Sequence, residues 1–423
     1  MKFVVIVLTI TLFFNFAFAD EVVRLNKIKV SGFKKTKKYV IHNELNLKEG
    51  SDISLSDIES SILGLRNTNL FAKVTYKLVG EEGKDLLIKV EEKWTTIPIV
   101  KFSSGGGVGQ LTLGAYDPNL FGRYLELGGQ YERLDSASSG VIWFKNPRLF
   151  GKKQGIDFQV WSTKRLRTKY EQDTDEPVIK TGFLHDRLKL YLNYNKELSR
   201  KLNMHFFYEY NDDSFSLDLL DDDVLAKATP FGIPISTKVH FAGLGLDYGQ
   251  LNYESFKVDG FLAQFRYRYG LSATSNVDDF SELDISLLYY KTYKWDLTFA
   301  QRFSSGLTTT DILQYWKYLG GLDRVRGFSD NRFAGKYYWL SNSEVRLPVY
   351  RHKWLILQAV AFADIVGVSE EFRIISNLEG ASVGGGIRLF LPKVYRFVVR
   401  LDYAQPIEKD DDMNISIGVQ QFF

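Results

Sequence analysis

A charged segment of thirteen residues, 323–335, interrupts a region in which polar and apolar residues otherwise alternate. Its sequence is DRVRGFSDNRFAG, which holds three arginines, two aspartates and two glycines. An arginine guanidinium stays charged and can donate two parallel hydrogen bonds to one carboxylate. A glycine such as Gly327 accepts a left-handed backbone and lets the chain pass close to a wall. These residue types suit a loop that binds carboxylates, and the alternative is a solvated external loop.

The other residues that could do chemistry form no catalytic or metal-binding pattern. The sequence has no cysteine, and its five histidines lack the spacing of metal ligands: His42, His185, His205, His240 and His352. A Gly-x-Ser-x-Gly nucleophile motif is absent. The glycine cluster at residues 105–109 lacks the Gly-Lys-Ser/Thr of a phosphate-binding loop, and we interpret it as a flexible first barrel strand. We therefore predict no enzymatic activity, no cofactor and no metal.

An acidic run from Asp221 to Asp223 is the remaining candidate for a cation site. Acidic runs are usually solvated, and this one lies in segment 212–238, the longest loop candidate. We interpret the run as part of an external loop. The formal net charge of +3 is too close to balance to indicate a nucleic-acid partner.

From about Pro98 onward, polar and apolar residues alternate with a period of two, which is the side-chain period of a β-strand. Near the end, one face carries apolar residues and the other carries polar or small ones: Phe397, Val399, Leu401 and Tyr403 against Val398, Arg400, Asp402 and Ala404. In a soluble sandwich the apolar face would point inward, whereas in a membrane barrel it meets lipid and the polar face lines the lumen. The aromatic content of 15% favours the barrel, because aromatic side chains form girdles at membrane interfaces.

The length of this region sets the size of the barrel. At roughly twenty residues for each strand and its connection, residues 96–423 allow about sixteen strands. We therefore predict a mainly β protein with a 16-stranded antiparallel transmembrane β-barrel. Aromatic residues at strand ends are candidates for the girdles: Tyr289, Tyr290, Tyr337, Tyr338, Trp339, Phe422 and Phe423.

Residues 1–19 are typical of a signal peptide. Lys2 precedes an apolar run, and Ala17, Phe18 and Ala19 form a small-residue cleavage site before Asp20. The alternative is a membrane anchor, for which the apolar run is short. We expect the mature protein to begin near Asp20, outside the cytoplasm.

Residues 20–95 indicate a small α+β domain with the order β-α-α-β-β. A first strand ends at Gly32, Thr36 is positioned to cap one helix, and Ser54 or Ser56 is positioned to cap a second. Two strands with alternating apolar residues follow. The order, together with the segment VSGFKKTKKYVIHNELNLKEG, resembles a POTRA domain, a periplasmic module that precedes certain outer-membrane barrels.

The charged segment itself resembles the VRGF/Y loop of the BamA/TamA superfamily (bacterial surface antigen type) of outer-membrane assembly and secretion barrels. Further segments resemble other motifs of that family in the same order: DPNLFG at 117–122, NPRLFG at 146–151, NSEVRLP at 342–348, SVGGGIR at 382–388 and RLDY at 400–403. With the single POTRA-like domain, the resemblance covers nearly the whole mature chain.

The resemblance implies that the loop folds into the lumen and that its arginine binds acids on the inner wall. The matching loop residues are Val325, Arg326, Gly327 and Phe328. Strand parity places three acids on the lumen face, so the expected partners are Glu344, Asp364 and Asp402. This sequence differs from the family's Phe-x-Asp-x-Gly pattern around Asp364, because its glycine, Gly367, comes one residue later. Phe423 matches the terminal aromatic that serves as a barrel signal, although Gln421 replaces a commoner hydrophobic residue.

These expectations imply a barrel in the bacterial outer membrane, with its N-terminal domain in the periplasm, that inserts or translocates client polypeptides. The POTRA-like domain would bind clients by strand addition, and the first and last strands, near Lys101 and Ile415, would form a seam. The alternatives are a secretion pore for one passenger protein and a passive porin. Expected partners are the lipid bilayer, unfolded clients and periplasmic chaperones or accessory proteins.

Overall fold

The computed structural model describes residues 21–81, 83–105, 108–134, 137–170, 179–218, 222, 225–226, 234–321, 324–329, 331–372, 378–407, 414–419 and 423. The predicted signal peptide lies outside these residues. No helix in the described part is long and apolar enough to cross a bilayer.

The N-terminal region folds as a four-stranded sheet with two helices. Its elements are β1 (Val22–Ser31), α1 (Lys38–Leu45), β2 (Asp52–Ser54), α2 (Leu55–Asn67), β3 (Phe71–Val79) and β4 (Lys84–Glu92). The sheet order is β2-β1-β4-β3, with β1 parallel to β4 and the other pairs antiparallel. Helix α2 buries Ile58, Ile62 and Leu65 against the sheet, because residues at this spacing share one helical face.

The capping prediction is confirmed for helix α2 and is wrong for helix α1. The Asp57 N–H donates to Ser54 Oγ over 3.0 Å, which confirms Ser54 as the cap of α2. The prediction for Thr36 is wrong, because α1 begins after Lys37 and has no side-chain cap. Thr36 is buried instead, and its hydroxyl accepts a hydrogen bond from Asn119 in the barrel over 2.9 Å. The short strand β2 is also an addition to the predicted order.

Sixteen antiparallel strands form a closed barrel, as predicted. In chain order they are β5 (Ile97–Gly105), β6 (Val108–Leu120), β7 (Leu125–Leu134), β8 (Ala137–Asn146), β9 (Gln154–Tyr170), β10 (Ile179–Ser199), β11 (Leu202–Ser216), β12 (Thr237–Glu254), β13 (Lys257–Ser272), β14 (Phe280–Thr292), β15 (Thr298–Thr308), β18 (Tyr337–Arg351), β19 (Ile356–Ser369), β20 (Gly380–Phe390), β21 (Val398–Pro406) and β22 (Asn414–Val419). Between β15 and β18, the short strands β16 (Lys317–Leu319) and β17 (Phe333–Gly335) pair with each other inside a long connection.

The barrel strands alternate between a polar inner face and an apolar outer face. On β18, Asn342, Glu344 and Arg346 are buried, whereas Val345 and Leu347 are 41% and 39% exposed on the outside. Period-two alternation produces this division, and the outer face suits lipid. The predicted lumen-facing positions of Glu344, Asp364 and Asp402 follow the same parity.

Three predictions about strand ends need correction. The glycine cluster ends β5 and begins β6, so it spans a hairpin rather than one strand, and residues 106–107 lie outside the described part. Strand β11 extends to Ser216 and β12 begins at Thr237, so the connection predicted over 212–238 is shortened to residues 217–236, and Asp221 and Asp223 lie outside the described residues. Tyr290 and Tyr338 are buried on the inner face and do not belong to an outer girdle. Phe422 is also outside the described residues.

Candidate functional site

The connection between β15 and β18 folds into the barrel and packs its tip against the inner wall. The β16–β17 pair forms the base of this loop. Val325 and Phe328, on either side of Arg326 and Gly327, are buried in one apolar cluster with Leu340. The ring centroids of Phe328 and Phe333 lie 4.9 Å apart in an edge-on arrangement. Apolar packing therefore holds the tip against the wall and excludes water around the neighbouring arginine.

Arg326 is bound to two acids of the wall. Its Nε and Nη2 donate to the two carboxylate oxygens of Asp364 over 2.7 and 2.8 Å, and its Nη1 donates to Glu344 Oε1 over 2.5 Å. The Ser382 hydroxyl donates to the Arg326 carbonyl oxygen over 2.5 Å, and the guanidinium carbon lies 3.5 Å from the Phe362 ring centroid. The side chains of the three ionised groups are at most 1% exposed. This is a dry, bidentate contact, the geometry in which arginine binds carboxylates most strongly.

Further arginines extend the contact into a cluster across four strands. Arg346 Nε donates to Glu344 Oε2 over 2.7 Å, and Arg388 Nη2 lies 3.3 Å from Glu344 Oε1. Arg388 Nη1 donates to Asp402 Oδ1 over 2.5 Å. Asp402 therefore joins Arg326 through Arg388 and Glu344. Three guanidinium groups face three carboxylates, so the charges in this buried cluster are matched.

Gly327 is the backbone feature that brings the loop so close to the wall. Its φ is +89°, and an added Cβ would lie 3.3 Å from Ser382 Cβ and 3.4 Å from Ala404 Cβ. Residues with a side chain rarely adopt this conformation, and the neighbouring strands leave little room for one.

We expect Gly327→Ala to destabilise the barrel by about 1–3 kcal/mol through backbone strain. Urea unfolding in lipid vesicles measures this change. The matched control is Gly385→Ala on β20, where an added Cβ meets only the Val360 carbonyl oxygen at 3.5 Å. Equal stability of the two variants would contradict a close-approach role for Gly327.

The first half of the loop is bound to other strands of the wall, β10, β11 and β14. The Tyr315 hydroxyl donates to Asp213 Oδ2 over 2.7 Å, and Asp213 also accepts from Arg187 on β10 over 2.5 Å. Lys317 Nζ donates to Glu282 and Asp284 over 2.7 and 2.9 Å. The loop therefore spans the lumen, with ionic or hydrogen-bonded contacts on two sides.

Sequence reasoning missed several members of this site. Arg346 and Arg388 lie within the quoted motifs, and the parity of Arg346 with Glu344 was the available signal for it. Nothing in the sequence pointed to the pairing of Tyr315 with Asp213. Of the two arginines flanking Arg326, the side chain of Arg324 is exposed, whereas Arg332 is buried.

Phe423 lies inside the barrel rather than in an outer girdle. Its ring centroid is 6.1 Å from that of Tyr290, and the guanidinium carbons of Arg302 and Arg346 lie 5.1 and 5.4 Å from the ring centroid. Its carbonyl oxygen is 3.5 Å from Arg346 Nη2. A role for Phe423 as a barrel signal stays a prediction.

The N-terminal domain docks on barrel turns that contain two of the sequence motifs. Arg148, in the second motif, donates through Nε and Nη2 to Glu44 on α1 over 2.5 and 2.8 Å, and through Nη1 to Glu197 over 2.7 Å. In the first motif, the Gly122 carbonyl oxygen accepts from the Lys37 N–H over 2.8 Å. The two motifs therefore position the domain at the end of the barrel.

A barrel with an apolar outer face, a loop bound inside it by buried ion pairs and a small domain docked at one end define a membrane β-barrel with an attached POTRA-type module. The chain belongs to the Omp85 superfamily, because the model for the Omp85 superfamily domain matches residues 119–423. The POTRA model, described as a surface antigen variable number repeat, matches residues 23–93. A comparison with curated proteins found no match.

Solved structures share the fold at low sequence identity. BamA from Haemophilus ducreyi lacking POTRA domains 1–3 is 14% identical, with a TM-score of 0.55 and coverage of 94% of this chain and 84% of that one. CdiB from Acinetobacter baumannii is 16% identical, with a TM-score of 0.59 and coverage of 94% and 74%. CdiB from Escherichia coli is 14% identical, with a TM-score of 0.63 and coverage of 94% and 76%.

Proposed function

We propose that this protein is an outer-membrane barrel that inserts or translocates client polypeptides delivered from the periplasm. Residues 20–95 form its periplasmic POTRA domain and residues 96–423 its barrel. The bilayer, unfolded clients and periplasmic accessory proteins are its partners, and the reaction needs no cofactor or covalent step. The observation that carries the proposal is that the first and last barrel strands, β5 and β22, meet directly and close the barrel at a seam.

The last strand β22 pairs with the first strand β5 at the seam of the barrel. Among the described residues, Ser416↔Ser103 and Ile417↔Phe102 are in register, and residues 420–422 beyond β22 lie outside the described part. If β22 and β5 separate, their edges present backbone donors and acceptors that another strand can satisfy. An incoming client strand can then add to the barrel at this seam.

The POTRA sheet offers a second place for strand addition. Strand β3 is nine residues long and lies at one edge of the sheet, with β4 as its neighbour. An extended peptide binds such an edge through main-chain hydrogen bonds, so recognition tolerates many client sequences. The loop tip with Val325, Arg326, Gly327 and Phe328 supplies a rigid inner wall beside the C-terminal strands. It is held directly by Glu344 and Asp364, and Asp402 joins the same cluster through Arg388.

Depletion of the protein, followed by an inventory of outer-membrane and secreted proteins, tests the proposal. Loss of many outer-membrane proteins indicates general assembly, and loss of one exported protein indicates dedicated secretion. An unchanged inventory would overturn the proposal in favour of a passive pore.

We expect a disulfide across the seam to abolish delivery of the proteins that are lost on depletion. Ser103→Cys and Ser416→Cys place thiols on directly opposed residues, at a separation that a disulfide spans. The native chain has no cysteine, so no other thiol competes. Delivery is measured under oxidising conditions and again after addition of reductant, which should restore it.

The control is Ser286→Cys with Ser304→Cys, an opposed serine pair on β14 and β15 whose hydroxyls lie 3.2 Å apart. Cross-linking there joins two strands that are already paired over eleven registered positions, and delivery should continue. Full delivery through the oxidised seam variant would show that clients do not use the seam.

A further inference from the structure

A cavity of about 700 Å³ lies where the POTRA domain meets the end of the barrel. Asn69 and Lys93 line it from the POTRA side. Aromatic side chains form much of the barrel side: Tyr116, Trp143, Trp161, Tyr253, Phe256 and Tyr290. The volume is that of a ligand pocket, and the rings offer apolar area and stacking faces.

Two cations face this cavity without a carboxylate partner. Within the described part of the chain, neither Lys93 Nζ nor the Arg396 guanidinium forms an ion pair. The Arg396 guanidinium carbon lies 5.0 Å from the Tyr253 ring centroid and 5.6 Å from that of Tyr395. Burial, with a smaller contribution from Arg396, lowers the pKa of Lys93 to about 8. The pair is therefore positively charged at neutral pH, and a negative group would stabilise it.

The other charged side chains that line the cavity are already paired within the described part of the chain. Glu126 accepts a hydrogen bond from Trp143 Nε1 over 2.7 Å and lies 3.2 Å from Lys145 Nζ. Arg346 is bound to Glu344. An anion that enters the cavity therefore finds its complementary charge at Lys93 and Arg396.

The backbone holds Arg396 in place at a conformational cost. Its φ is +41°, in the left-handed region that favours glycine. Such strain persists only where the surrounding structure imposes it, and it is common at binding sites. The turn between β20 and β21 thus presents a charged side chain at a position where glycine would be less strained.

A polypeptide aromatic already occupies one side of the same cavity. Phe423 lines it, with its ring beside Tyr290 and the guanidinium groups of Arg302 and Arg346. The chain itself thus shows that combined ring and guanidinium surfaces in this cavity hold a peptide aromatic side chain.

We propose that this cavity binds an acidic, aromatic-rich segment of a polypeptide client as the client passes from the POTRA domain toward the lumen. Lys93 and Arg396 receive the carboxylates, and the aromatic walls receive the rings. This inference rests on the proposed function, because it requires clients to reach the mouth of the barrel. It adds a sequence preference to the sequence-tolerant recognition at the sheet edge.

Fluorescence anisotropy with the purified full chain in detergent tests the proposal. The probe is a fluorescein-labelled nonapeptide with two aspartates, two tyrosines and a phenylalanine. We expect Lys93→Gln and Arg396→Gln each to weaken binding about tenfold, since each removes one charge-assisted hydrogen bond. Replacing the peptide's aspartates with asparagine should weaken binding to the native protein to a similar extent.

The matched control is Arg200→Gln with Lys201→Gln, which removes two positive charges from an exposed turn of the barrel. Its affinity for the peptide should equal that of the native protein. If the Lys93 and Arg396 variants bind the peptide as tightly as the native protein, the proposal is overturned. It is also overturned if the native protein binds the asparagine peptide as tightly as the aspartate peptide. Competition by phosphatidylglycerol micelles, lost in both variants, would assign the site to a lipid headgroup and also overturn it.

The two proposals fail in different ways. Absence of peptide binding, together with loss of client proteins on depletion, overturns this site and leaves the proposed function standing. An unchanged protein inventory on depletion overturns the proposed function itself.

Discussion

Arg326→Ala is expected to release the loop tip from the inner wall and to lower the stability of the barrel by about 3–5 kcal/mol. The substitution leaves Asp364 without its bidentate partner and removes one of the bonds to Glu344, while both carboxylates stay fully buried. A buried charge without its partner costs far more than the pair contributed, because water cannot replace the lost contact. Urea unfolding in vesicles measures the stability, and conductance in planar bilayers reports opening of the lumen.

Arg324→Ala is the matched control, since it removes the same residue type and charge from the same loop. The Arg324 side chain is exposed, and its contact with the wall uses the backbone carbonyl, which accepts from Asn342 Nδ2 over 3.0 Å. Its stability and conductance should stay close to those of the native protein. Arg326→Ala combined with Asp364→Asn should recover part of the lost stability, because the uncompensated charge is then absent. Identical behaviour of the Arg326 and Arg324 variants would contradict the ionic lock.

Delivery of client proteins is the functional measurement for the same variant. We expect Arg326→Ala to reach the membrane but to deliver less of each protein that is lost on depletion. The reason is that a loose loop no longer supports β18 to β20, which lie close to the seam in the barrel order. Unchanged delivery with lowered stability would restrict the loop to a structural role.

The faces of the barrel strands were predictable because a strand has a side-chain period of two. Glu344 and Asp364 could be assigned to the lumen from their neighbours alone, and the late glycine at Gly367 does not alter that parity. Parity fixes the face of a residue but not its partner across strands. The contacts of Arg388 with Glu344 and Asp402 depend on register and on side-chain length, which a single strand does not specify.

The aromatic girdle prediction was wrong for Tyr290 and Tyr338 for a related reason. Tyr289 and Tyr290 are adjacent on one strand, so they must point to opposite faces and cannot both meet lipid. Tyr289 is 42% exposed outside, and Tyr290 is 3% exposed inside. Phe423 is separated from the described part of β22 by residues 420–422, which lie outside the described residues. Its position inside the barrel could not be read from alternation.

Local sequence preferences also could not predict the contacts between the POTRA domain and the barrel. Thr36 satisfies the preferences of a helix cap, yet its hydroxyl is used by Asn119 of the barrel. The motifs at residues 117–122 and 146–151 were recognisable as motifs, but their contact with α1 depends on the three-dimensional placement of the barrel turns. The local preference of threonine for helix caps made Thr36 a candidate cap, but its contact with Asn119 across the domain interface gives it a different role.

Arg148→Ala is expected to loosen the POTRA domain from the barrel while the barrel stays folded. Arg148 binds Glu44 of α1 through two hydrogen bonds, and the Glu44 side chain is only 3% exposed. Its removal leaves a nearly buried carboxylate without a cation, at a cost of up to about 3–5 kcal/mol in a dry interface. Undocking exposes Glu44 to water and so relieves that cost, and the barrel strands keep their own hydrogen-bonded ladders.

Double electron–electron resonance measures the loosening directly. Spin labels at Lys77→Cys in the POTRA domain and Lys201→Cys in the barrel occupy exposed positions in a chain without native cysteine. The distance distribution should be narrow in the native background and broad in the Arg148→Ala variant. Arg123→Ala, at an exposed arginine of the neighbouring turn, should keep the narrow distribution. Glu44→Gln combined with Arg148→Ala should narrow the distance distribution again in part, because a neutral amide can stay at the interface. Equally narrow distributions in all variants would show that Arg148 does not hold the POTRA domain to the barrel.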